Sequence, residues 1–130
     1  VIQTITLQDV VQAGAVAYLA GRLSAQGPSP TCSYLDDAGC PCVVGAAMTP
    51  ETINKLVERK QLGTRAAELS KAGFISIPNS DKEAVDQLQR SHDKWASAAG
   101  VKDLDQMAAD RARDKEMQFK ALLKHHGAKI

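Results

Sequence analysis

The sequence predicts an α+β fold: a small β-hairpin or three-stranded sheet packed against several helices, with a long C-terminal helix. Three observations carry this expectation. Apolar residues recur at helical spacing over most of the chain, two β-rich runs flank the turn-forming cluster Asp36-Asp37-Ala38-Gly39, and the 130 residues contain no apolar run near the ~20 needed to cross a bilayer. One domain over 1–130 is expected, with a buried N-terminal helix in 1–25, a hairpin and helix core in 31–99, and a C-terminal helix in 103–126.

Each element has a local cause. Thr6 and Asp9 have the spacing of a capping signal, and Leu7 through Leu23 is apolar on nearly every face, with Ala13, Gly14, Ala17 and Gly21 small enough to admit a close neighbour. The run Val10 to Leu19 has no upstream Lys or Arg and is interrupted by Gln12 and Gly14, so it reads as a buried helix rather than a secretory segment. The stretch Gln26-Gly27-Pro28-Ser29-Pro30 ends it. Thr31 to Leu35 and Cys40 to Val44 then read as the strands of a hairpin, with Pro41 placing the second at an edge.

Thr49-Pro50-Glu51 opens a helix to about Lys60, Gly63-Thr64 breaks it, and a short helix follows to about Ala72, closed by Gly73. Phe74 to Ile77 is a short buried strand that could extend the hairpin into a sheet. Ser80-Asp81-Lys82-Glu83 fits a capping box, and Ala84, Val85, Leu88, His92, Trp95, Ala96 and Ala99 form one stripe of the helix it opens. Asp103 with Gln106 offers the last helix start. Its middle, from Asp110 to Glu116, is polar apart from Ala112 and is expected to face solvent, supported by Asp110 with Arg113 and Glu116 with Lys120.

Charge excludes the simplest nucleic-acid and anionic-membrane cases. Sixteen Lys and Arg against fifteen Asp and Glu leave +1, whereas phosphate binding rests on an excess of cations. The charge is uneven, from −2 over residues 1–50 to +4 over 111–130, and the basic tail reads as a solvated helix face. Three cysteines, Cys32, Cys40 and Cys42, crowd one stretch. An odd, clustered set makes a poor disulfide framework, which points to a reducing compartment and a cytoplasmic location.

Cys32-Ser33-Tyr34, Cys42-Val43-Val44-Gly45 and Leu88-Gln89 followed by His92-Asp93 resemble the pattern of an uncharacterised family of small phage-, prophage- and bacterium-encoded proteins: Cys-x-Tyr, a short turn, Cys-x-x-Gly, and later Leu-Gln-x-x-His-Asp. The resemblance covers Cys32 to Trp95, and Cys40 and Pro41 are not part of the pattern. It implies a unit that brings the hairpin and the His-Asp helix together, in a phage or its host's cytoplasm. It implies no activity.

Physically, Cys42 and His92 are the candidate catalytic pair, since an imidazole next to a thiol favours the thiolate. Cys32, Tyr34, Gln89 and Asp93 are candidate binding residues. Against the pair, Asp93 follows His92 on a helix and should point about 100° away from it, leaving the ring unoriented. The alternative makes His92 a core residue donating to a hairpin carbonyl, with Cys32 and Cys42 as small buried hydrophobes. Zinc on the cysteines and His92 is disfavoured by the Cys40-Pro41-Cys42 spacing, and no metal or cofactor is expected. His125 and His126 suit the negative end of a helix.

Residues 50–72 have helix-turn-helix lengths with five bases, but Arg59 stands where close helix packing needs a small residue. The expectation is therefore a non-enzymatic phage-type module that binds a protein partner or a second copy of itself through the C-terminal helix, and no membrane. A thiol enzyme using Cys42 and His92 is the alternative, and a DNA-binding protein using residues 50–72 the second.

Overall fold

The computed structural model describes residues 2–28, 30–31, 33–101 and 105–130. Its elements run β1 (Gln3–Thr4), α1 (Leu7–Leu19), 3-10 turns at Ser24–Gln26 and Gly45–Ala47, α2 (Pro50–Glu58), α3 (Ala66–Lys71), β2 (Ile75–Ser76), α4 (Lys82–Ala99) and α5 (Gln106–His125). The molecule is mainly helical with a minimal sheet.

The start of α1 follows the sequence. Thr6 Oγ1 accepts from Asp9 N–H while the Asp9 carboxylate accepts from Thr6 N–H, a complete capping box. Its end comes four residues before Leu23. Gly21 adopts φ +68°, and the amides of Gly21 and Arg22 donate back to Tyr18 O and Ala17 O, which closes the helix in a Schellman arrangement. Gly14 is a point of contact: a Cβ there would lie 2.6 Å from Val43 Cγ2.

Among the described residues the hairpin shrinks to one antiparallel bridge, Leu35 with Pro41. Local side chains outcompete the ladder. Asp36 Oδ1 takes the amides of Ala38 and Cys40, Ser24 N–H donates to Pro41 O, and the chain then coils into the turn at Gly45. Residues 75–76 do form a strand, but it pairs in parallel with the N-terminal Gln3 and Thr4 rather than with residues 31–44. The three-stranded sheet is thus replaced by two strands far apart in sequence, extended by Ile5 N–H donating to Ser76 O at 2.8 Å.

Thr49 caps α2 with Pro50 in its first turn, as the sequence implies. The capping box expected at Ser80 and Glu83 does not form. Asp81 occupies the cap position without a side-chain bond to the helix, because its Oδ2 accepts from Leu7 N–H at 2.9 Å and ties α4 to the start of α1. Asp105 caps α5 by accepting from Ala108 N–H, while Asp103 lies outside the described residues.

Helix α5 lies along α4, burying Ala108, Phe119 and Leu123. Tyr18, Trp95, Phe119 and His92 pack ring against ring at centroid distances of 5.5 to 6.3 Å and join α1, α4 and α5 in one core. The polar middle of α5 carries the expected pair of Arg113 with Asp110 at 3.7 Å. Glu116 departs from expectation: instead of pairing with Lys120 it accepts from the Tyr18 hydroxyl at 2.7 Å, fastening α5 to α1. Burial and the Glu116 charge push that phenol up to about 12.

Candidate functional site

The motif residues meet where α4 crosses the 34–45 segment. Gly45 is the pivot. A Cβ on it would lie 2.0 Å from the carbonyl oxygen of Tyr34, so only glycine permits the approach. The Gly45 amide donates to Cys42 Sγ at 3.2 Å, and the Tyr34 amide donates to Leu62 O at 2.9 Å. The spacing Cys-x-x-Gly therefore closes a turn around one backbone contact.

Helix α4 supplies the rest. Its stripe Val85, Leu88, Gln89, His92, Trp95 and Ala96 is buried at helical spacing. Gln89 spans two needs: Oε1 accepts the Val44 amide at 3.1 Å and Nε2 donates to Asp93 Oδ1 at 2.8 Å. The same Asp93 oxygen stands 3.4 Å from His92 Nδ1, so the carboxylate curls back to the adjacent ring despite the divergence of consecutive helical positions. On its other side the imidazole accepts, from the Ala25 amide to Nε2 at 3.4 Å, instead of donating to a carbonyl of residues 31–44. That bond puts the ring proton on Nδ1, facing Asp93.

Cys42 and His92 are each 0% exposed. Burial pushes the Cys42 thiol up to about 12, helped by the Asp93 charge, and hydrogen bonds from Gly45, Gln89 and Val44 do not offset it. At neutral pH such a sulfur is a protonated, inaccessible acceptor with no nucleophilic character. Tyr34 is 3% exposed, and its phenol is raised first by burial and then by the charges of Cys42, Asp93 and Asp86. Cys32 lies outside the described residues, and Cys40 is a free, half-buried thiol. No group of three or more His, Cys, Asp or Glu among the described residues could hold a metal ion.

Beside this network opens a cavity of about 690 Å³, walled by the loop before α3, by α4 and by α5. Tyr34, Gln89 and Asp93 line it, which brings three of the four candidate binding residues onto one wall. It also holds Lys94, which the sequence reading passed over, with Arg65, weighed there only among the bases of residues 50–72, and Arg111 and Lys115, counted there only in the basic tail. Their one available signal was the i,i+4 spacing of Arg90 with Lys94 and of Arg111 with Lys115, which puts each pair on one helix face without showing what that face meets.

In the stretch weighed as a DNA reader, α3 has six residues, buries Ala66 and Leu69, and shows solvent a face where Lys71 stands 4.0 Å from Glu68. No helix among the described residues is long and apolar enough to cross a membrane. No protein-family model, curated protein or solved structure matches the chain.

Proposed function

We propose that the chain is a non-enzymatic protein-binding module of the phage type that its motif resembles, acting in a cytoplasm. One observation supports this above the others. The motif's reactive groups, Cys42 and His92, are fully buried and engaged by backbone amides, whereas Tyr34, Gln89 and Asp93 border an open cavity of about 690 Å³. A cavity of that size lies within the range of about 300–1,000 Å³ usual for recognition sites.

The test is site-specific photo-crosslinking. A photoreactive residue at Ala98, on the cavity wall, should give a discrete protein adduct, and one at the exposed Glu83, outside the cavity, should not. An adduct of twice the chain's mass identifies a second copy as the partner. Absence of any protein adduct at Ala98, or rapid Cys42 alkylation in the folded protein, overturns the reading.

A further inference from the structure

The cavity wall is electrostatically one-sided. Five cations line it, Arg65, Arg90, Lys94, Arg111 and Lys115, against two carboxylates, Asp86 and Asp93. Both acids are already engaged, Asp86 by Arg90 at 2.6 Å and Asp93 by Gln89 at 2.8 Å with the His92 ring beside it. Arg65, Lys94, Arg111 and Lys115 have no carboxylate within ion-pair distance among the described residues. Like charges gathered on one concave surface within about a Debye length repel each other, and an anion seated among them relieves that repulsion.

The spacing narrows the anion. Arg111 and Lys115 stand one turn apart on α5, about 6 Å of axial rise, while on α4 Asp86 holds Arg90 and leaves Lys94 for a ligand. Alternate side chains of an extended peptide are about 6.6 to 6.8 Å apart, so carboxylates at alternate positions match the α5 pair. Ala66, Ala98 and Val101 in the same wall accommodate their methylene stems. A phosphodiester strand fits less well, because the one aromatic ring in the wall, Tyr34, is 3% exposed and offers bases no face to stack on, and the chain carries only +1 overall.

We propose that this cavity docks an extended acidic segment of the protein partner, with its carboxylates on Arg65, Lys94, Arg111 and Lys115. The inference rests on the binding reading above and names the chemistry of what is bound.

The probe is a fluorescein-labelled peptide of alternating Glu and Ser, titrated with the full chain by fluorescence anisotropy at about 20 mM salt, where surface charge is screened least. Saturable binding is expected, weakened at least about tenfold by raising salt to about 150 mM and by the double substitution Lys94→Glu with Arg111→Glu. The control Lys124→Glu, outside the cavity, should bind as the parent does. Circular dichroism of the double variant should match the parent, and amide NMR shifts should fall on residues 63–66, 86–101 and 111–115. No binding at low salt, equal binding by the double variant, or tighter binding of an oligothymidylate than of the peptide each overturns the proposal. An Ala98 crosslink to a partner together with a failed peptide titration sinks the acidic ligand and leaves the binding module standing. Failure of both sinks both.

Discussion

Two faces of α4 treat polar groups in opposite ways. On the inner face Gln89 and His92 are buried, and each of their heteroatoms answers a group on another residue: the Val44 amide, the Ala25 amide and the Asp93 carboxylate. On the outer face Lys94 lines an open cavity with Arg111 and Lys115 of α5 and has no carboxylate partner among the described residues. A buried polar group left unmatched costs about 1–3 kcal/mol, so the inner face is constrained by stability. An exposed cation costs almost nothing, so the outer face is available for recognition. Chemically suggestive residues in a motif can thus be architectural while plainer ones beside them line the open cavity.

The sharpest way to break this contrast is Gly45→Ala. The new methyl would meet a main-chain carbonyl that has no rotamer to move, and a loss of about 3 kcal/mol or more is expected, read as a fall in the urea midpoint or as failure to fold. A loss below about 1 kcal/mol would show that the turn is not the constrained element.

Alkali tests the buried thiol. Cys42 is protonated in the folded chain up to about pH 12, whereas an unfolded thiol ionises near its ordinary 9.0. Its contribution to stability is therefore fully present below about pH 9 and is lost as pH rises toward 12, at about 1.4 kcal/mol per pH unit. By pH 11 the wild type should have lost about 3 kcal/mol more, relative to its own stability at pH 8, than Cys42→Ala. Parallel pH profiles would mean that the sulfur is solvated.

Gln89→Leu keeps the volume but orphans the Val44 amide. A cost of about 1–3 kcal/mol is expected, with faster hydrogen exchange at Val44 as the specific readout. The smallest effect belongs to the outer face: Lys94→Glu with Arg111→Glu should change the unfolding free energy by no more than about 0.5 kcal/mol while abolishing most peptide binding. A large loss of stability there would erase the distinction between the faces.

Several structural causes that lay within a few residues were legible. The Thr6 and Asp9 box, the Thr49-Pro50 start and the stripe of α4 all form as their local pattern implies. The hairpin failed because alternation and turn residues do not show that Asp36 will take the amides of Ala38 and Cys40. The box at Ser80 failed because Asp81 is drawn to Leu7, 74 positions away. Asp93 could be named as a site residue but not placed, since the axial geometry of a helix does not fix where a carboxylate rotates. The cationic wall was hidden for a related reason: Arg65, Lys94 and Arg111 come from three elements, and no spacing along the chain relates them.

By itself the sequence determined which segments coil into helices and which of their faces are apolar, because those follow from forces acting over one or two turns. Only the tertiary structure decided that residues 75–76 pair with residues 3–4, that Gly45 carries the close approach to Tyr34, and that four cations without a carboxylate at ion-pair distance among the described residues share one cavity. Each of these depends on groups distant along the chain competing for the same hydrogen bonds and the same space, and that competition has no outcome until the core has closed.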